Sequence, residues 1–303
     1  MYIKTFTMAV SPPFRLDLTA WTLRRRAKNA IDQWDGQQYR RVLVVDDMAV
    51  QVLVEQYTES ELTVTLKSER HSDSVRPEVE AALQKMFSVD TDLAAFYQVA
   101  SGDAHLRVLA QMFKGVRPPR FPTIFEGLVN SIACQQVSLD AGISLLNKLA
   151  ENYGLPYKAG DETQYAFPRP EDLYQVPAED IKKLGFSYQK GRAIAELSTN
   201  LVEQKLTLVD LEALSNEEIF DVLVQNRGIG RWSAEYTLLR GLGRIDVLPG
   251  DDVGAQKNLM ELVGLDARPN YDEIQVLTQP WQPYAGFVYF HLLLEKLQAK
   301  GVL

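Results

Sequence analysis

The chain has 303 residues, 46% hydrophobic and 24% charged, the composition of an ordinary globular protein with core enough for two or three domains. Its one cysteine, Cys134, excludes internal disulfides and any four-cysteine zinc or iron–sulfur site, and His71, His105 and His291 show no ligand spacing. A net charge of −8 excludes a uniformly basic nucleic-acid binder, so the positive potential needed for such a partner has to be local.

No apolar run approaches the length of a bilayer, and the opening MYIKTFTMAVSPP lacks a signal-peptide core; a cytoplasmic protein without membrane contact is expected. Two basic runs stand out, Arg24-Arg25-Arg26-Ala27-Lys28 and Lys114-Gly115-Val116-Arg117-Pro118-Pro119-Arg120, and each reads by itself as a solvated face. Arg40 to Gln56 reads as a hairpin turning at Asp46-Asp47, and Leu62 to Leu66 alternates as a strand. From Val75 to Phe87, Val79, Ala82, Leu83 and Met86 recur at helical spacing, and Asp92 to Phe113 also reads as helical. These segments predict an N-terminal α+β domain over residues 1–114, a small antiparallel sheet with helices.

Three prolines between Val116 and Pro122 mark a junction. Beyond it, residues 115–303 read as an all-α domain of short helices. They are expected at Phe125–Gln136, Ala141–Tyr153, Pro170–Gln175, Glu179–Leu184, Gly191–Glu203, Asn216–Val224, Asp252–Val263 and Tyr284–Lys300.

The most informative stretch runs from Val224 to Lys257. Asn226-Arg227-Gly228 stops one helix, Ile229 is an apolar plug, and Gly230 opens the next helix, which carries Trp232, Tyr236, Leu238 and Leu239. Amides at a helix start lack intrahelical partners, the helix dipole favours an anion there, and glycine lets the backbone come close. A helix-hairpin-helix that holds a phosphate is predicted. Leu248-Pro249-Gly250 then leads into Asp251-Asp252 at another helix start. An aspartate pair at a helix start reads as no more than an N-cap, or one carboxylate caps while the other, projecting into a cleft beside Trp232 and Tyr236, can support an oxocarbenium-like sugar or orient a water. Trp232 and Tyr236 share a helical face, which suits a core pair or the wall of a pocket stacking a flipped base. Tyr289, Phe290 and His291 offer further rings. Gln135-Gln136 reads as a solvated helix end, with interest only if a gap in a base stack has to be filled.

Gly228-Ile229-Gly230-Arg231-Trp232-Ser233-Ala234-Glu235-Tyr236, Leu239-Arg240-Gly241 and Asp246 to Asp252 resemble the helix-hairpin-helix/Gly-Pro-Asp superfamily of DNA glycosylases. Within it they look most like the 3-methyladenine DNA glycosylase II (AlkA-like) branch. Phe121-Pro122, Phe125-Glu126 and Ile132 to Ser138 are similar to that branch's first core helix and wedge loop, and Phe167 to Leu173 and Leu184 to Ser187 to its linking segments. The resemblance spans about 115 to 295. It extends more weakly through Ser11-Pro12-Pro13-Phe14 and Tyr39-Arg40-Arg41 to a TATA-binding-protein-like N-terminal domain.

The resemblance implies two helical lobes with a cleft between them and makes Asp252 the catalytic carboxylate, with Asp251 its non-catalytic neighbour. Gln136 takes the intercalating wedge position. Trp232 and Tyr236 match the aromatic base pocket, with Phe290 and His291 replacing the family's tryptophan and tyrosine on the last helix. Gly228, Ile229, Gly230 and Arg231 would meet DNA, while the carbonyls of Val224, Asn226 and Ile229 would hold a structural monovalent cation. No cofactor is expected for catalysis. Bifunctional members carry a lysine where this chain has Trp232, so base removal without strand cleavage is implied. The expected substrate is double-stranded DNA bearing alkylated purines of the 3-methyladenine and 7-methylguanine type, acted on by a monomer, nucleoid-associated in a bacterium. A glycosylase for oxidised or deaminated bases, a non-catalytic DNA-binding protein, and a helical scaffold with an N-capping aspartate pair are the alternatives.

Overall fold

Alternating apolar residues build the first layer of the fold. The computed structural model describes residues 2–303. In it, β1 (Tyr2–Ala9) is followed by α1 (Leu16–Arg24), β2 (Gln33–Trp34), β3 (Gln38–Val45), β4 (Met48–Thr58) and β5 (Glu61–Ser68). Among the described residues these strands form one antiparallel sheet in the order β1-β5-β4-β3-β2. The predicted Asp46-Asp47 turn joins β3 to β4, both residues taking left-handed φ (49° and 54°), as a two-residue hairpin requires. Pairs such as Phe6↔Val64 and Val52↔Leu66 point one row of side chains inward. That row packs under α2 (Val75–Phe87), whose Val79, Leu83 and Met86 are buried, so the N-terminal α+β layer stands as predicted.

The predicted helix over Asp92–Phe113 is two helices, α3 (Ala94–Gly102) and α4 (Ala104–Met112). Asp103 makes the break, its carboxylate capping α4 through the His105 and Leu106 amides. Packing does not follow the chain division at 114/115, because Phe96, Leu106, Leu109 and Phe113 share one core with Trp281, Phe287 and Leu294.

The second half is largely helical: α5 (Ile124–Cys134), α6 (Leu139–Tyr153), α7 (Pro170–Leu173), α8 (Ala178–Lys183), α9 (Tyr188–Val202), α10 (Asn216–Val224), α11 (Arg231–Arg240), α12 (Val253–Val263), α13 (Tyr271–Thr278) and α14 (Ala285–Ala299), with short 3-10 turns at Val209–Ala213 and Gln279–Trp281. One departure from an all-α reading is a small hairpin, β6 (Pro156–Ala159) and β7 (Glu162–Tyr165). It returns to the sheet, where Gln51 donates to Gln164 at 2.8 Å and Tyr157 and Ala166 cover Val42 and Ala49.

Two helical cores result. One gathers Phe125, Val129, Ile132, Leu146, Ile194, Ile219 and Ile229; the other is the core shared with α3, α4 and α14. α11 runs between them, with Leu238 in the first and Leu239 in the second, and Ser233 to Arg240 are all buried. A helix buried on all sides fits a spine between two lobes. Among the described residues, no helix is long and apolar enough to cross a membrane.

Neither basic run is simply a solvated face. Arg24, Arg25 and Arg117 are buried. Arg117 donates to the carbonyls of Ser11, Pro13 and Thr91, and Arg24 to those of Arg26, Ala27 and Trp34. Arg41, also buried, bridges Asp32 and Glu126 and so ties the sheet to α5. Burying a cation costs several kcal/mol, and these carbonyls and carboxylates are what offsets it.

Candidate active site

The hairpin between α10 and α11 closes through its own polar groups. The Asn226 side-chain amide donates to the Val222 and Leu223 carbonyls at 3.0 and 3.3 Å, satisfying the end of α10. Gly228 has φ 78°, and a Cβ there would stand 2.7 Å from the Ala193 Cβ, so both conformation and space demand glycine. Ile229 is buried in the first helical core, as the plug was expected to be. Gly230 caps α11 without a side-chain hydrogen bond and faces open space, which leaves the first-turn amides free for an anion. Arg231 is exposed and lies over the Tyr271 ring at 4.5 Å. The Asn226 carbonyl accepts the Ile229 amide, so a cation at the Val224, Asn226 and Ile229 carbonyls would use its second lone pair. Among the described residues, no group of three or more His, Cys, Asp or Glu could hold a metal ion.

The turn after Leu248-Pro249 is clamped from both sides. Glu235 on α11 accepts the Gly250 amide at 3.2 Å and the Tyr271 hydroxyl at 2.7 Å, and Gln256 donates to the Gly250 carbonyl at 2.8 Å. A Cβ on Gly250 would stand 2.6 Å from the Tyr271 ring. Asp252 follows at the N-cap of α12. Its Oδ1 accepts the Ala255 amide at 2.8 Å, while its Oδ2 accepts the Trp232 indole N–H at 3.1 Å and the Tyr289 hydroxyl at 3.3 Å. The expected division of labour between two aspartates is therefore corrected. One carboxylate caps with one oxygen and takes the Trp232 indole and the Tyr289 hydroxyl on the other, and Asp251 is exposed.

Trp232 and Tyr236 stack on each other, ring centroids 5.3 Å apart and 29° between planes. Trp232 is partly exposed and Tyr236 is buried. Behind Tyr236, Arg25 donates to its hydroxyl at 2.8 Å and to Asn130 at 2.6 Å. Arg240, fully buried, sits 5.7 Å from the Tyr236 ring, 5.0 Å from Phe121 and 5.4 Å from Phe290. After α5, Gln136 is exposed with φ 51°, and Val137 beside it is 41% exposed. A cavity of about 720 Å³, lined by Arg41, Phe121, Phe125 and Arg169 among others, opens between β3 and α5 and includes none of Trp232, Tyr236 or Asp252.

A family model described as HhH-GPD superfamily base excision DNA repair protein matches residues 129–283, and one for the AlkA N-terminal domain matches residues 5–122. The chain belongs to the HhH-GPD superfamily. It is a base excision DNA glycosylase by that membership. It is 27% identical over 217 residues to the DNA-3-methyladenine glycosylase of Bacillus subtilis (strain 168), covering 72% of each chain. To DNA-3-methyladenine glycosylase 2 of Escherichia coli (strain K12) it is 24% identical over 289 residues, 95% of this chain and 96% of that one. The 3-methyladenine DNA-glycosylase from Archaeoglobus fulgidus shares the fold, with a TM-score of 0.82 at 23% identity over 95% of this chain and 97% of that one.

Two of the rings expected in the pocket of the glycosylase are elsewhere. Phe290 is wholly buried against Arg240. His291 is buried among Phe96, Phe113 and Phe287, shares a 3.1 Å hydrogen bond between Nδ1 and the Phe287 carbonyl, and has its pKa pushed down to about 4 by burial. Successive residues of a helix differ by about 100° in direction, so Tyr289 faces Asp252 while its two successors turn into the core.

Sequence reasoning also missed the supports of the hairpin and of the loop after α5. Gln135, not Gln136, ties the loop after α5 to the hairpin, donating to the Gly228 carbonyl and the Ser233 hydroxyl, both at 2.7 Å. Lys190 holds the same loop through the Ala133 and Gln135 carbonyls at 3.0 and 2.6 Å. These partners are 55 to 98 residues apart in the chain, and no local pattern announces them. Glu235 lies within the Gly228–Tyr236 stretch, and its place beside Tyr236 on a buried helix is the available signal.

Proposed function

We propose that this glycosylase excises alkylated purines of the 3-methyladenine and 7-methylguanine type from double-stranded DNA by hydrolysis, leaving the strand uncut. The observation that carries the reading is Asp252, a carboxylate held by an indole, a phenol and a helix amide beside the stacked Trp232–Tyr236 pair. The names of the two curated relatives support the choice of alkylated purines.

In the proposed reaction the amides at Gly228 and Gly230 grip a phosphate, which positions the duplex without reading sequence. A cation on the hairpin carbonyls would add positive charge at that grip. Gln136 enters the stack as the damaged nucleotide rotates out, at a cost of a few kcal/mol that is smaller for damaged bases. N3- or N7-alkylation gives the base a formal positive charge, so it leaves with the electron pair of the C1′–N bond and needs little acid help. Asp252 supports the electron-deficient sugar, and water attacks C1′. Trp232, standing where bifunctional relatives carry a lysine, provides no amine for a Schiff base.

Release of 3-methyladenine from alkylated duplex DNA by the Asp252→Asn protein tests the assignment. A drop of about 100-fold or more is expected, the scale of losing a main transition-state electrostatic group; undiminished release overturns it. A panel of alkylated, oxidised and deaminated duplexes, with borohydride trapping, tests lesion class and lyase absence together. Preferential release of the alkylated base without a trapped adduct is expected.

A further inference from the structure

Asp252 has no ion-pair partner among the described residues; its contacts are neutral donors. A carboxylate offers about four lone-pair positions. The Ala255 amide takes one on Oδ1, and Trp232 and Tyr289 take two on Oδ2, so one position remains, on Oδ1. The χ2 torsion of aspartate is broad, and only donors anchored on both oxygens fix the plane of the group. Tyr289 is well suited to anchor one. Its ring packs edge-on against Phe290 with centroids 5.8 Å apart, and α14 is buried along its inner face. Burial first, and then the Asp252 charge, drive the phenol well above the usual tyrosine range, so it remains an O–H donor.

We propose that Tyr289 is a positioning residue of the glycosylase reaction: its hydroxyl holds Oδ2 of Asp252 so that Oδ1 presents its open lone pair to the water that attacks C1′. This rests on the reading of Asp252 given above. Trp232 alone would leave Oδ2 anchored by a group that is itself partly exposed and in the path of the base. The phenol comes instead from a second helix, α14, and keeps the plane set when Trp232 shifts to admit the base.

Tyr289→Phe keeps the ring and removes only the hydroxyl. Its single-turnover rate of base release is expected to fall about 10- to 100-fold, the scale of one hydrogen bond to a charged group. KM for lesion DNA, and binding to a duplex holding an abasic analogue, should stay within about twofold of wild type. Introduced into Asp252→Asn, the same change should cost no more than about twofold further, because it acts through the missing carboxylate. A wild-type rate in Tyr289→Phe overturns the proposal, as does a rise in KM that accounts for the loss, or full additivity with Asp252→Asn. Undiminished release by Asp252→Asn overturns the underlying reading as well, so the two failures are distinguishable. An unchanged melting temperature of Tyr289→Phe shows that the rate reports the site and not the fold.

Discussion

Glu235 offers the sharpest test of how the turn before Asp252 is held. Alanine at this position removes both acceptors at once, leaving the Gly250 amide and the Tyr271 hydroxyl unpaired. Each buried donor left unsatisfied costs about 1–3 kcal/mol, but Tyr271 is only partly buried and regains a water. The Gly250 amide dominates, and with the lost methylene packing the expected destabilisation is about 2–4 kcal/mol. Gln256 still holds the Gly250 carbonyl, so the turn loosens without unravelling. Asp252 lies two residues on, and the base-release rate should fall more than DNA affinity does. Urea unfolding gives the first quantity and single-turnover kinetics the second.

Protonation adds an independent check. Burial raises the Glu235 carboxyl above the ordinary glutamate range, while the Tyr271 and Gly250 donors pull it partway back. The folded state therefore keeps this proton to higher pH than the unfolded chain. The resulting stability is fully present below the unfolded pKa and is lost as pH rises through the folded one. Glu235→Gln removes that fall, and its stability profile should be flatter than wild type just above the ordinary glutamate range. An alanine variant within about 0.5 kcal/mol of wild type, with unchanged kinetics, would refute the clamp.

The remaining expectations concern the hairpin and the loop after α5. Gln135→Ala frees that loop from the Gly228 carbonyl and the Ser233 hydroxyl, and should weaken binding to lesion duplex about 5- to 30-fold while the melting temperature barely moves. Fluorescence anisotropy measures it, and Gln136→Ala should differ by leaving the hairpin contacts intact. Gly228→Ala meets both a left-handed φ and the Ala193 methyl, and should cost about 1–3 kcal/mol in urea unfolding. It should also weaken duplex binding in a way that added salt does not mimic, since the lost contact is a backbone amide and not a cation.

Much of the fold was legible because its signals are local. Val75–Phe87 carries its helix in i, i+3, i+4 spacing and is observed with the same limits. Asp46-Asp47 could be read as a turn because the flanking apolar runs leave two residues between them. Other elements were missed for equally physical reasons. β1 alternates clearly only over its second half and pairs with a single neighbour, and α1 has no side-chain cap and runs straight into an arginine cluster that resembles solvated surface. The β6–β7 hairpin exists because it can cover Val42 and Ala49, which are about 115 residues earlier in the chain.

The sequence by itself determined the glycine hairpin, the apolar plug between its helices, the Pro-Gly turn and the aspartate that follows it. Each depends on residues within a few positions, where conformation and capping are set by neighbours. Tertiary structure alone decided which groups meet there. It turned Tyr289 toward Asp252 and Phe290 and His291 away, gave both aspartate roles to one carboxylate, and carried Arg25, which caps the first helix, to the back of Tyr236. A helix changes direction by about 100° at each residue, so the face a side chain takes depends on the axis and phase of its helix against distant partners. Those are set when the two lobes pack around α11 and not before.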